Sequence, residues 1–194
     1  MELKNAIELI QNPHLLQQNQ AVWADLGCGS GLFTAALAHL LNTGSTVFAV
    51  DKNLVELNIA LFPQDIEIRP MQLDFVEESL PFHQLDGILM ANSLHFVRDK
   101  MALINKLSAS MKSEGHFLIV EYDTDKPVQQ WVPYPISFDS LQQLFIQAGY
   151  SSVVKLGERP SLYSRAKLYA ALIPKLTNSI LDEHQSQTKA ELSS

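Results

Sequence analysis

A glycine-rich segment behind an apolar run is the part of the sequence whose residue types and spacing most clearly indicate chemistry. Residues 25–31 read DLGCGSG, so Gly27, Gly29 and Gly31 alternate with other residues after the carboxylate of Asp25. Alternating glycines let a backbone turn tightly and approach a ligand closely, and the N-terminal N–H groups of a following helix then face that ligand. The segment predicts a ligand-binding loop between a buried strand and a helix.

Two further carboxylates follow the next two predicted strands. Asp51 lies 20 residues beyond Gly31, where a carboxylate can accept both hydroxyls of a ribose. Asp74, beside Phe75, occupies the equivalent place one strand later, and a carboxylate there suits an exocyclic amino group such as that of adenine. Together with the glycine loop, these residues predict an adenosine site. For Asp74 and Phe75, a turn and a core position stay open as alternatives.

An α/β fold is needed to bring these residues together. Continuous apolar runs are typical of parallel strands covered on both faces, and here they alternate with stretches at helical spacing. Five strands are predicted at 21–25, 46–50, 66–71, 87–91 and 117–122, and helices at 32–41, 54–62, 99–111 and 138–148. Two last strands, 152–156 and 162–170, have so short a link that only an antiparallel hairpin joins them.

Length and cysteine content limit the organisation of the chain. We expect one domain over 1–173 and a polar C-terminal extension over 174–194, because 194 residues suit a single folding unit. The single cysteine and the lack of metal-type Cys/His spacing predict a reducing compartment and no metal site. With no signal-peptide pattern at the N-terminus, the expected location is cytoplasmic.

Charge distribution argues against two classes of partner. Residues 26–50 contain no Asp, Glu, Lys or Arg over 25 positions, which is long enough for a membrane helix. Four glycines break this stretch into short pieces, so we expect strand, helix and strand, and no membrane association. The net charge of -7 disfavours nucleic acid, because phosphate binding requires a basic face.

On these motifs the sequence resembles the class I S-adenosylmethionine-dependent methyltransferases. The resemblance rests on DLGCGSG at 25–31, the aspartate after the second strand and LDF at 73–75, and it extends over about residues 21–170. It implies a three-layer Rossmann-like α/β sandwich with a mostly parallel seven-stranded sheet that ends in an antiparallel hairpin. It also implies S-adenosylmethionine as cofactor and methyl transfer as activity.

The same resemblance assigns residues to the methionine end of the cofactor. Three glycines would form the loop beneath the methionine part: Gly27, Gly29 and Gly31. Asp25 would orient the ammonium group. Ala91 and Asn92, at the end of the fourth strand, would face the methionine and the sulfonium.

At the adenosine end, the resemblance implies that Asp51 holds the ribose hydroxyls. Asp74 and Phe75 would hold the adenine, and Lys52 would flank it.

His95 and Tyr134 are the candidates on the acceptor side. His95 follows the fourth predicted strand and is the best-placed titratable residue for a general base, with packing against the next helix as the alternative. Tyr134 lies after the fifth strand in a loop that also holds Trp131, Pro133 and Pro135. Such a loop predicts the wall of a pocket for a small, partly apolar acceptor, or else a plug for the edge of the sheet.

Two other functions compete with methyl transfer. A cofactor-binding module without catalysis would use the same pocket as a sensor or as the partner of an active subunit. An NAD(P)-dependent oxidoreductase would need a third glycine three positions after the second, where Leu32 stands. The Asn/Asp-Pro-Pro-aromatic run of amino-methylating DNA enzymes is also missing, because residues 91–94 read ANSL. A small-molecule acceptor is therefore predicted over nucleic acid.

Overall fold

A seven-stranded sheet forms the centre of the computed structural model, which describes residues 1–17, 19–54, 56–127, 131–160 and 166–175. The strands are β1 (Val22–Leu26), β2 (Thr46–Asp51), β3 (Glu67–Gln72), β4 (Leu85–Ala91), β5 (Met111–Tyr122), β6 (Val154–Pro160) and β7 (Lys167–Pro174). The helices are α1 (Leu3–Ile10), α2 (Pro13–Gln17), α3 (Leu32–Ala38), α4 (Lys100–Ser108) and α5 (Phe138–Gln147), and short 3-10 turns lie at Ile59–Leu61 and Leu94–Phe96.

The strand order is β3-β2-β1-β4-β5-β7-β6. The first five strands pair in parallel, and β7 runs antiparallel to both β5 and β6. The α/β class and the closing antiparallel hairpin predicted from the sequence are confirmed. Because the chain order reverses between β1 and β4, the carboxyl ends of these two strands form the crevice where open α/β sheets bind ligands.

Helices cover both faces of the sheet and complete three layers. On one face, Leu103 of α4 and Phe145 of α5 belong to a buried cluster with the sheet. On the other, Leu9 of α1, Leu37 of α3 and the fully buried Trp23 of β1 form a second cluster. Burying a side chain of this size contributes about 1.5–3 kcal/mol. With both faces covered, the carboxyl-end edge of the sheet is left for a site.

The helix predicted over 54–62 is wrong. The residues described there form an irregular segment with one 3-10 turn, and Leu54 and Ile59 are each 84% exposed. The side chain of Leu57 instead packs against the glycine loop, 2.7 Å from the position a Cβ on Gly31 would take. A helix needs an apolar stripe that the sheet can bury, and here those apolar side chains point in different directions.

Other boundaries differ by a few residues. Ser137 caps α5, since its Oγ accepts the N–H of Ser140 at 3.2 Å. Gly157, predicted as part of the hairpin turn, lies inside β6 at a register shift against β7. Both hairpin strands end later in the chain than expected, β6 at Pro160 and β7 at Pro174. The link between them includes residues 161–165, which lie outside the described residues.

Residues 176–194 of the predicted C-terminal extension also lie outside the described residues. The domain boundary therefore stays a prediction. Among the described helices, none combines the length and the apolar character required to cross a bilayer.

Candidate active site

The glycine loop is fixed to the neighbouring strand by its own backbone. The N–H groups of Gly27 and Cys28 both donate to the carbonyl of Val50 at the end of β2, at 2.8 and 3.0 Å. A Cβ on Gly27 would lie 2.5 Å from the Cβ of Ser93, whereas a Cβ on Gly29 would meet nothing within 4 Å. Both glycines have positive φ, 81° and 51°, which other residues adopt only with strain. The loop is therefore rigid and leaves open space at Gly29.

Asp51 joins this loop to the end of β2. Its Oδ2 accepts the N–H of Gly29 at 3.0 Å, and its Oδ1 accepts the N–H of Asn53 at 2.9 Å. Oδ1 also accepts the side-chain N–H of Asn53 at 3.4 Å. An ionised carboxylate has about four acceptor positions, so Oδ2 keeps capacity for a hydroxyl donor. The predicted spacing between loop and carboxylate thus corresponds to direct contact.

Asp25 is a buried carboxyl at the end of β1, 1% exposed. Its Oδ2 accepts the hydroxyl of Thr34 at 2.6 Å, and its Oδ1 has no hydrogen-bond partner among the described residues. Burial, with a smaller contribution from the charge of Asp51, raises the pKa of Asp25 to about 7 despite the hydrogen bond from Thr34. A buried carboxylate without a full set of partners is unfavourable, so a cationic ligand would stabilise it.

A second unpartnered oxygen lies at the end of the adjacent strand. Asn92 follows the half-buried Ala91 with a φ of 55°, its N–H donates to the carbonyl of Val120 at 2.8 Å, and its Oδ1 is buried without a partner in the described part of the chain. The hydroxyl of Ser93 donates to the carbonyl of Leu26 at 2.6 Å and holds the two strand ends together. Two unsatisfied acceptors therefore lie at the crevice between β1 and β4.

The predicted adenine residues have mixed roles. Asp74 forms the turn given as its alternative, with its Oδ1 accepting the N–H of Val76 at 3.0 Å. Phe75 is a core residue, 8% exposed, and its ring edge also lies 3.7 Å from the position a Cβ on Gly27 would take. Lys52 is exposed, next in the chain to Asp51, the predicted ribose carboxylate. Phe75 therefore belongs to the core and also lies close to the glycine loop.

His95 is held by a buried carboxylate of the neighbouring strand. Its Nδ1 lies 2.7 Å from Oε2 of Glu121, and its backbone N–H donates to Oε1 of the same side chain at 3.1 Å. The two residues are 3% and 1% exposed. Because Nδ1 faces the carboxylate, it carries the proton in the neutral ring, and the lone pair is then on Nε2.

Tyr134 is connected to His95 through the backbone. Its N–H donates to the carbonyl of His95 at 2.9 Å, and its own carbonyl accepts the ammonium of Lys100 at 2.7 Å. Partial burial lowers the pKa of Lys100. The structure therefore brings both acceptor-side candidates into one cluster at the carboxyl ends of β4 and β5.

Several exposed apolar side chains belong to the segments that follow strand ends. The described residues include nine exposed large hydrophobic side chains, and six of them come after β2, β3, β4 and β5 in the chain and before the next strand or α-helix: Leu54, Ile59, Val76, Phe96, Trp131 and Tyr134. Within the same described ranges, no three His, Cys, Asp or Glu side chains come together as metal ligands.

Comparison with known families agrees with the geometry. A family model described as a methyltransferase domain matches residues 24–119, from β1 to β5. This match supports the resemblance to the class I S-adenosylmethionine-dependent methyltransferases. The matched segment contains the glycine loop, the strand-end carboxylates of β1 and β2, and His95.

Individual relatives of the chain are distant. The O-methyltransferase cnsE of Penicillium expansum is 24% identical over 158 residues, which cover 75% of this chain and 57% of that protein. The chain thus spans less than two thirds of the curated relative.

Two solved structures share the fold. The 1,6-didemethyltoxoflavin-N1-methyltransferase of Burkholderia thailandensis, with bound 1,6-didemethyltoxoflavin and S-adenosylhomocysteine, is 20% identical with a TM-score of 0.68, covering 89% of this chain and 77% of that one. A methyltransferase dependent on S-adenosylmethionine from Aquifex aeolicus is 15% identical with a TM-score of 0.56, covering 89% and 99%.

Sequence reasoning missed two residues of the candidate site. Glu121 stands inside the apolar run FLIVEY at 117–122, and a carboxylate within an otherwise fully apolar strand is a signal that could have been used. Ser93 gives no comparable signal, because its contact with Leu26 depends on how β4 lies beside β1.

Proposed function

We propose that this chain transfers the methyl group of S-adenosylmethionine to a hydroxyl group of a small, partly apolar acceptor. The observation that carries the proposal is the buried Asp25 carboxyl, whose Oδ1 has no partner among the described residues, beside a glycine loop with open space at Gly29. A cationic ligand with an adenosine part has the chemistry that these groups lack. The match to a methyltransferase domain supports the same cofactor.

Five residues provide the groups that would hold the cofactor. Oδ1 of Asp25 and Oδ1 of Asn92 are free to accept N–H groups of an ammonium. Asp51 would accept the ribose hydroxyls next to the open backbone at Gly29, and Asp74 would accept the adenine amino group. The rest of the predicted set would line the cofactor: Gly27, Gly31, Lys52, Phe75 and Ala91.

When bound, S-adenosylmethionine supplies an electrophilic methyl group on a sulfonium. The chain itself would bind the acceptor, align its oxygen and accept its proton. Nε2 of His95 would take the hydroxyl proton as the oxygen attacks, and Glu121 would hold Nδ1 protonated and keep the ring oriented. The name of the relative from Penicillium expansum, an O-methyltransferase, supports oxygen as the acceptor atom.

A cofactor-binding module without catalysis is the second candidate. The observation in its favour is that His95 is only 3% exposed, so access of an acceptor to Nε2 would require movement of the covering side chains. The two candidates share the cofactor site and differ in turnover.

Calorimetry with S-adenosylhomocysteine tests the cofactor site. We expect binding by the wild type and a loss of about 1.5–3 kcal/mol in Asp51→Ala, because a charge-assisted contact is removed. Asp65→Ala is the matched control, since Asp65 is an exposed carboxylate bonded to Thr43 at 2.6 Å, away from the loop. An absence of heat at millimolar ligand, or equal affinity in Asp51→Ala and wild type, would contradict the cofactor assignment.

Turnover separates the two candidates. Radiolabelled S-adenosylmethionine and a cell extract should give a labelled small molecule only in the presence of the protein. Binding without any transfer would favour the non-catalytic module.

A further inference from the structure

A cavity of about 670 Å³ lies between the first turns of α4 and α5. It borders the acceptor edge, because both helices begin after the carboxyl ends of β4 and β5. Small-molecule sites usually measure about 300–1,000 Å³. The cavity therefore has the size of a ligand pocket, and none of the cofactor residues lines it.

The two carboxylates that line the cavity already accept hydrogen bonds from the protein. Asp99 caps α4 by accepting the N–H of Ala102 at 3.0 Å. Asp125 accepts the N–H and the hydroxyl of Ser137, at 2.9 and 2.7 Å, and a hydroxyl from α5 at 3.0 Å. Both carboxylates lining the cavity thus have hydrogen-bond donors of the protein itself.

The two cations of the cavity keep unused N–H groups. Arg98 makes no hydrogen bond or ion pair with any other described residue. The ammonium of Lys100 donates to the carbonyls of Val97 and Tyr134, at 2.9 and 2.7 Å, and keeps a third N–H. A ligand that enters would find a guanidinium whose planar pair of N–H groups matches a carboxylate.

The remaining wall is apolar and continuous with the acceptor cluster. It consists of Met101, Pro135, Ile136 and Leu144. Pro135 follows the tyrosine whose N–H donates to the carbonyl of His95, and Arg98 lies three residues beyond His95. The cavity and the proposed base therefore share one short stretch of chain.

We propose that this cavity holds the anionic group of the methyl acceptor, so that the acceptor is a hydroxy acid with a small aromatic or apolar body. The inference rests on the proposed function. Arg98 binds the carboxylate, the apolar wall contacts the body, and the hydroxyl lies towards His95. The net charge of the chain is -7, so attraction of an anion depends on this local guanidinium.

The test uses protein saturated with S-adenosylhomocysteine and two pairs of probes. These are 4-hydroxybenzoate and 4-hydroxyphenylacetate, each with its methyl ester, titrated by calorimetry. We expect each acid to bind at least about tenfold more tightly than its ester, because only the acid forms a charge-assisted pair with Arg98. In Arg98→Gln, the acids should bind no better than the esters.

Arg69→Gln is the matched control, because Arg69 is an exposed arginine of β3, paired with Glu67 at 2.8 Å. Wild-type affinity for S-adenosylhomocysteine in Arg98→Gln shows that the variant is folded and that the proposed function is intact. Equal binding of acid and ester, no binding of either acid, or unchanged acid binding in Arg98→Gln overturns the inference while leaving the cofactor site standing. Loss of S-adenosylhomocysteine binding in the wild type overturns the proposed function itself.

Discussion

The buried carboxyl of Asp25 should make cofactor affinity depend on pH between 6 and 8. Burial raises its pKa from 3.8 to about 7. About one tenth of such a group is ionised at pH 6 and about nine tenths at pH 8. If the ammonium group binds only the ionised form, the Kd for S-adenosylhomocysteine should be about tenfold higher at pH 6 than at pH 8.

The substitution Asp25→Asn distinguishes the effect of this carboxyl on the pH dependence of affinity from the effect of every other group that titrates in the same pH range. The amide keeps an oxygen for the hydroxyl of Thr34 but carries no charge. We expect its affinity to be lower at pH 8 by about 1.5–3 kcal/mol, and the part of the pH dependence due to Asp25 to disappear. Isothermal titration calorimetry at pH 6, 7 and 8 measures both quantities. A wild-type pH dependence retained in Asp25→Asn would refute this assignment.

The same substitution should raise stability. The folded state binds this proton more tightly than the unfolded chain, so stability falls as pH rises from 3.8 to about 7 and is level above that. Each pKa unit corresponds to about 1.4 kcal/mol, which makes the cost of the ionised form at pH 8 at most about 4 kcal/mol. Asp25→Asn should therefore unfold at a higher temperature than the wild type at pH 8, without ligand, and at nearly the same temperature at pH 4. A lower Tm at pH 8 would show that the carboxylate has a partner that stabilises it.

Three further sets of substitutions test separate parts of the site and fold. If Glu121 acts through His95, His95→Gln should lower kcat by about 10²–10⁴. Glu121→Gln should lower kcat by part of that factor and alter the pH profile of kcat/KM, and both variants should keep their affinity for S-adenosylhomocysteine. A double variant much slower than His95→Gln would contradict the coupling. Gly29→Ala should weaken cofactor binding and lower Tm only through the strain of a positive φ, because its Cβ would occupy open space. Gly27→Ala should lower Tm further, because its Cβ would also overlap Ser93, and equal melting of the two variants would contradict this distinction. Gly87→Ala should destabilise the fold by about 1–3 kcal/mol in urea titrations, because its Cβ would overlap a buried tryptophan ring, and an unchanged midpoint would refute that packing.

Local patterns made the arrangement of the glycine loop and Asp51 predictable. The loop and Asp51 follow strands whose apolar runs are continuous, and a parallel sheet brings the carboxyl ends of such strands to one edge. The contact of Asp51 with the N–H of Gly29 follows from that arrangement. Here, a spacing of residues was enough to predict a geometry.

The acceptor half depends on tertiary contacts that spacing does not determine. His95 meets Glu121 because β4 and β5 pair in one particular register, and 26 residues separate the two side chains along the chain. The helix predicted over 54–62 failed for a related reason. Its apolar residues satisfy a helical period, but Leu57 is needed to cover the glycine loop, and that packing prevails over local propensity.

The proposed site offers different groups to its two ligands, and this difference has a consequence for the reaction. The unpartnered oxygens of Asp25 and Asn92 lie at the glycine loop, whereas the unused donors of Arg98 and Lys100 lie at the cavity, beside the carboxylates of Asp99 and Asp125. A cationic donor molecule at the loop and an anionic acceptor at the cavity would each be held by groups of opposite polarity. Because attraction between opposite charges strengthens as water is excluded, binding of both ligands together should be more favourable than the separate affinities indicate. A hydroxy acid should accordingly bind more tightly to the protein saturated with the cationic S-adenosylmethionine analogue sinefungin than to the protein alone, and equal affinities in the two titrations would contradict this coupling.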